Sequence, residues 1–306
     1  MVYTLEIDSE ARRDKIVNVA SVSQLSPFRY PGGKTWLVPT IRHWLKSLPH
    51  RPTLFVDPFA GGGIIPLTVA AEKLSKRVLM AELDPDVASV WRTILSSSAE
   101  ALRRRIINFN ITRDRVIEEL GTPPKDDLDR AFKTLLRNRT QHGGILAAGA
   151  SLVKNGEAGR GIASRWYPET LCKRIQYIQT LAPRIQFVEG DALDLIPQYQ
   201  ACPGTTFFID PPYTAGNGKR AGRRLYNFNH LDHGMLFELM AKTVGNVMMT
   251  YDHAPEVIAM AEVHGFSHDL VPMKNTHHAR MFELIITKNL VETAPSTPAC
   301  LPAAAR

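Results

Sequence analysis

Leu37, Ile41, Trp44, Leu45 and Leu48 recur at the three- and four-residue spacing of one helix face, which predicts a helix over 36–48. A short apolar run at 53–56 ends in Asp57, then come glycines and a helix-like stretch at 64–74. A second strand pattern at 77–81 runs into Glu82 and Asp84, and Pro85 opens a helix through Trp91. Strand, loop, helix, strand, acid, helix is the start of a doubly wound, mostly parallel Rossmann-like α/β sheet. Strand patterns return at 185–188, 205–209, 247–250 and 282–287, after a helix-like piece at 168–181. Between the two halves, 93–135 reads as helix broken at Gly121-Thr122-Pro123-Pro124, and 138–168 as glycine-rich surface loop. The predicted organisation is a core over 26–91 and 171–290, interrupted by a largely helical and loop insertion over 92–170. A loosely held arm at 1–25 precedes it, and a Pro-, Ala-, Ser- and Thr-rich tail at 291–306 is expected to be disordered.

Composition narrows the class. In 306 residues, 44% hydrophobic and 22% charged, no apolar run reaches the length of a membrane span. The first thirty residues carry no basic start followed by an apolar stretch, so a cytoplasmic protein is expected. Cys172, Cys202 and Cys300 are odd in number and widely spaced, as ordinary thiols are. His277 and His278 share their spacing with no thiolate or carboxylate, so no metal is expected. The net charge is +7, and the segment from Arg92 to Arg184 holds 17 basic and 9 acidic residues, a balance of +8. All of the excess therefore lies in this segment, the footprint of a phosphate-backbone binder or of a solvated Arg-rich surface.

Two motifs carry chemistry. In Asp57-Pro58-Phe59-Ala60-Gly61-Gly62-Gly63 an acid leads a glycine turn between strand and helix, where backbone can approach a ligand closely. Its glycines miss the dinucleotide spacing, and Glu82 ends the next strand, placed to accept hydrogen bonds from ribose hydroxyls. The pair suits a nucleoside without a pyrophosphate. In Phe207-Phe208-Ile209-Asp210-Pro211-Pro212-Tyr213 an apolar strand stops at two prolines, neither of which donates, and the first is forced extended by the second. A carboxylate, a peptide carbonyl and a phenol ring converge there. They are what an exocyclic amine on a flat heterocycle needs: two acceptors and a stacking face.

With these motifs the chain resembles the Dam-like (D12 class) adenine-N6 DNA methyltransferases, which use S-adenosylmethionine, over about residues 26–288. Phe28-Arg29-Tyr30-Pro31-Gly32-Gly33-Lys34 resembles the family's N-terminal cofactor motif. Phe187-Val188-Glu189-Gly190-Asp191 resembles the strand end whose acid meets the cofactor's adenine amine. The resemblance implies a catalytic tetrad of Asp210, Pro211, Pro212 and Tyr213. It implies a cofactor site of Tyr30, Gly32, Gly33, Lys34, Asp57, Phe59, Gly61, Gly62, Gly63, Glu82 and Asp191, with Lys34 near the methionine carboxylate or ordering its loop. Ala60 and Gly62 stand where many relatives carry cysteine and serine, and Glu82 where they carry aspartate.

The expected substrate is an adenine flipped out of double-stranded DNA, contacted from the insertion through Asn138, Arg139, Arg160 and Arg165. Lys219, Arg220, Arg223 and Arg224, just after the tetrad, are expected to form a loop over the substrate strand. A cognate restriction endonuclease, a nucleoid-associated location, and a monomer or a dimer are all compatible with the resemblance. A cytosine-N4 enzyme more often begins its tetrad with serine, and a cytosine-C5 enzyme needs a cysteine after proline, where Cys202 precedes Pro203. RNA adenine methylation and a catalytically silent DNA-binding protein are the remaining alternatives.

Overall fold

The computed structural model describes residues 17, 19–30, 32–147, 149–156, 159–212, 230–274 and 280–288. Tyr213, Lys219, Arg220, Arg223, Arg224, His277, His278, Cys300 and the tail lie outside them. Seven strands form one sheet: β1 Leu54–Asp57, β2 Arg77–Glu82, β3 Ile185–Glu189, β4 Thr205–Ile209, β5 Asn246–Asp252, β6 Ser267–Lys274 and β7 Arg280–Thr287. Their spatial order is β3-β2-β1-β4-β5-β7-β6. The first five are parallel, and β7 pairs antiparallel with both β5 and β6. The chain order reverses between β1 and β4, the switch point where open α/β sheets bind ligands beyond the strand ends.

Alternation along each strand divides the core. Phe55, Met80, Phe208 and Met248 face one layer of helices, while Val56, Leu79, Phe207 and Met249 face the other. The first layer holds α1 Val38–Ser47, α2 Ile64–Ala71 and α3 Pro85–Ile94. It also takes in the helices between β2 and β3: α4 Ala99–Asn108, α5 Arg113–Leu120, α6 Asp127–Thr140 and α7 Pro168–Leu181. The second layer holds α8 Ala192–Leu195, α9 His233–Lys242 and α10 Pro255–Val263. Pro85 opens α3 under the cap of Asp84, whose carboxylate accepts the N–H of Asp86 at 2.9 Å. Among the described residues, no helix is long and apolar enough to cross a membrane.

Three features depart from the sequence reading. Residues 19–25, expected to belong to a loose arm, dock on the core through Val22, which is only 3% exposed. Strand β6 was not expected: Ser267, His268 and Asp269 break the apolar pattern, and Pro272 is tolerated because β6 is an edge strand. Much of the insertion's positive charge is spent internally. Arg92 pairs with Asp127 and Glu189, Arg105 with Glu119 and Asp129, Lys133 with Asp129, and Arg130 and Arg137 with Asp86.

Candidate active site

Every acid singled out at a strand end lies at the carboxyl edge of the sheet. Asp57 ends β1, Glu82 ends β2, Asp191 follows β3 and Asp210 follows β4. A single cavity of about 1140 Å³ touches all four. Its wall also includes Tyr30, Gly32, Gly33 and Lys34 from the N-terminal loop, Phe59 and the three turn glycines, and Pro212. Pro211 is buried beside it.

The glycine turn is clamped from three sides. Ala60 donates its N–H to Ala81 of β2 at 2.9 Å, and Gly61 donates to Oε2 of Glu82 at 3.0 Å. The Trp91 indole N–H reaches the Gly61 carbonyl at 3.0 Å, and the Ser26 hydroxyl bonds the carbonyl of Gly62. Side chains account for the glycines here. A Cβ on Gly61 or on Gly62 would lie 2.7 Å from Tyr30, and one on Gly63 2.7 Å from the ring of Trp91. Gly61 and Gly63 also have φ of 46° and 68°, strained for any L side chain. In this structure the protein's own Tyr30 and Trp91 pack closely against these glycines.

Glu82 is held by three N–H donors, Gly61 on Oε2 and Leu83 and Asp84 on Oε1. Burial nevertheless pushes its carboxyl up to about 7, against the opposing bond from Asp84. Asp57 is 2% exposed and accepts the N–H of Phe59 at 3.2 Å. Burial, then the negative charge of Asp210, holds it well above the usual carboxylate range. Asp191 caps α8 by accepting from Leu193 at 2.8 Å.

Lys34 is buried, 3% exposed. Its ammonium donates to the Gly32 carbonyl at 2.9 Å and lies 3.0 Å from Oδ1 of Asp210 and 3.6 Å from Oε2 of Glu283. Burial works against this charge, and Asp210 and Glu283 together outweigh it, leaving the ammonium above its ordinary range. The bond to Gly32 lies within the loop that carries Lys34. Oδ1 of Asp210 also accepts the Thr250 hydroxyl at 2.8 Å. Sequence reasoning passed over Glu283 and Thr250; the one available signal was a charge inside the apolar run of β7.

Two of the expected DNA contacts lie inward rather than on the outer surface, and Arg139 lines the cavity. Asn138 is fully buried: it accepts the Arg29 N–H at 2.8 Å and donates to the carbonyls of Arg29 and Gly144 at 3.1 and 2.8 Å. Arg139 is 5% exposed and bonds the carbonyl of Pro27. Both tie the N-terminal loop to α6 and present no side chain on the outer surface. Arg160 is exposed and rests on the Tyr167 ring 5.7 Å from its centroid, and Arg165 ends a short turn at Gly161–Arg165.

The residues present suit a nucleoside-bearing cation such as S-adenosylmethionine. The cavity has room for one, and Glu82 and Asp191 offer acceptors for hydroxyl and amine. A doubly wound sheet ending in such a cavity is the layout of a Rossmann-like methyltransferase. The sequence matches the D12 class N6 adenine-specific DNA methyltransferases over residues 30–262, and the chain belongs to that family. Adenine-specific methylation of DNA is accordingly its enzyme class, with S-adenosylmethionine the methyl donor that the family implies.

No curated protein sequence matches the chain. Solved structures with a related chain course include the rRNA methyltransferase aviRa of Streptomyces viridochromogenes, at 15% identity and a TM-score of 0.38, covering 85% of this chain and 86% of that one. A precorrin 8W decarboxylase of Methanobacterium thermoautotrophicum matches at 10% identity and 0.37, over 85% and 94%. An rRNA methylase of Streptococcus thermophilus matches at 9% identity and 0.35, over 83% and 95%.

Proposed function

We propose that the chain methylates the N6 amine of an adenine turned out of duplex DNA into the cavity beside Asp210. The observation that carries the reading is the placement of the Asp210 corner at the switch point, next to Asp57 and in the same cavity as Glu82 and Asp191. Glu82 and Asp191 bind the adenosine end of the donor, and the turn from Asp57 to Gly63 with Tyr30, Gly32, Gly33 and Phe59 lines the rest. When bound, S-adenosylmethionine supplies a methyl group activated on positively charged sulfur.

The N6 lone pair of adenine is delocalised into its ring and is a poor nucleophile. The carboxylate of Asp210 and the carbonyl of Pro211 accept its two N–H bonds and favour the pyramidal nitrogen that can attack. Positive charge then grows next to a fixed anion and a fixed dipole, so the stabilisation needs no rearrangement during the reaction. Pro211 and Pro212 keep the corner stiff. Flipping the base costs a few kcal/mol, and Tyr213 is the platform on which it stacks. Target recognition falls to 92–170, with Arg160 and Arg165 as contacts, and Lys219, Arg220, Arg223 and Arg224 neutralise phosphates of the strand.

The decisive experiment is transfer of tritiated methyl from S-adenosylmethionine to plasmid DNA, followed by digestion and nucleoside chromatography. Label in N6-methyladenine is expected. Label in N4-methylcytosine, or none in DNA and some in RNA, would replace this reading.

A further inference from the structure

The Lys34 ammonium stands between two carboxylates from distant parts of the chain, Asp210 after β4 and Glu283 on β7. Lys34 is almost fully removed from water, Glu283 nearly so and Asp210 partly: side-chain exposure is 3%, 11% and 21%. The nearer contact, to Asp210, is 3.0 Å and the farther 3.6 Å, so 0.6 Å separates them. An ammonium N–H on a carboxylate oxygen is chemically the same contact that an exocyclic amine would make there. We propose that Lys34 keeps the amine seat of Asp210 occupied until the target amine arrives and then passes to Glu283. Glu283 is thereby a positioning residue for methyl transfer, an inference that rests on the adenine reading above.

Three physical points favour the exchange. A buried ammonium that lost its carboxylate outright would be strongly penalised, so displacement by a neutral amine needs a second anion within reach. Glu283 provides it without a backbone movement, because the lysine stem is flexible and Nζ can keep its bond to Gly32. Asp210 is meanwhile anchored by Thr250 on Oδ1, so the carboxylate stays when the ammonium leaves. The exchange conserves charge: two carboxylates and one ammonium sum to −1 before and after. It also draws a cation away from the nitrogen on which positive charge must grow, a like-charge interaction that would otherwise raise the barrier.

The test uses single-turnover methyl transfer to saturating plasmid DNA, with donor affinity measured in parallel. Glu283→Gln should slow transfer on the order of tenfold, the loss of one buried charged hydrogen bond, while S-adenosylmethionine affinity stays within about threefold. Glu283→Asp should restore part of the rate. In a Lys34→Met background the same Glu283→Gln change should cost less than about twofold, because there is no ammonium left to receive. Wild-type rate in Glu283→Gln, or an equal cost in both backgrounds, overturns the proposal. Should the variants fold poorly or Lys34→Met be inactive, a wild-type crystal with S-adenosylhomocysteine and an adenine-containing duplex decides. Lys34 closer to Glu283 than to Asp210 supports the exchange, and Lys34 still closer to Asp210 overturns it. Wild-type enzyme that leaves plasmid adenine unmethylated would instead sink the adenine reading, and this inference with it.

Discussion

The ring of Trp91 lies where a side chain on Gly63 would have to go: a Cβ there would meet Cζ2 at 2.7 Å and Cη2 at 2.8 Å. The same indole donates to the Gly61 carbonyl, so one side chain of α3 both fills and pins the turn after β1. Gly63→Ala therefore combines a backbone strained at φ 68° with a clash against a rigid, fully buried ring. A loss of about 2–4 kcal/mol in urea unfolding is expected, with weaker donor binding. A variant as stable as the parent would show that Trp91 yields freely.

Asp210→Ala should lower methyl transfer by at least about a hundredfold, the scale of removing a preorganised charge at the reacting atom. Donor affinity should stay near that of the parent, because the adenosine end is held by other residues. Normal turnover in this variant would end the assignment of Asp210.

The raised carboxyl of Glu82 makes stability depend on pH with a definite sign. Its unfolded value is near 4.5 and its folded value about 7, so between them the folded chain keeps a proton that the unfolded chain has released. Stability is highest below the lower value and falls as pH rises through the upper one, by an amount on the order of 3 kcal/mol. Asp57, also raised, acts in the same direction. Urea unfolding at about pH 5 and pH 8 should show the decline in the wild type and a smaller one in Glu82→Gln. Equal slopes would mean that Glu82 is not the group responsible.

Asn138→Ala removes three hydrogen bonds that join α6 to the N-terminal loop and to Gly144. Leaving those buried backbone groups unpaired should cost about 2–4 kcal/mol. The salt dependence of DNA binding should stay as it is in the parent. A stable variant with a shallower salt slope would return Asn138 to the DNA interface.

Replacing Lys219, Arg220, Arg223 and Arg224 by alanine should flatten the plot of log affinity against log salt by roughly 0.9 for each phosphate that is no longer neutralised. Filter binding from about 50 to 200 mM salt measures it. A slope identical to that of the parent would remove this loop from the strand.

The layout of the site was largely legible because strand ends are written locally. Asp57, Glu82 and Asp210 each close an apolar run, and β1 to β5 lie within a residue or two of the patterns that predicted them. Edge strand β6 escaped because half-polar sequence at a sheet margin has no periodicity to read. The inward placement of Asn138 and Arg139 escaped for a related reason: residue type gives no sign of burial, and α6 turns both inward, Arg139 into the wall of the cavity.

The sequence alone determined which groups stand at the carboxyl edge, since an apolar run, a stopping proline and a terminal acid act through bonds and near neighbours. Tertiary structure decided what those groups meet. Antiparallel pairing of β7 with β5 brings Glu283 beside Lys34, and packing of α3 and the N-terminal loop sets Trp91 and Tyr30 on the glycines. Contacts between residues tens to hundreds of positions apart depend on the closed sheet and its layers, which no local spacing records.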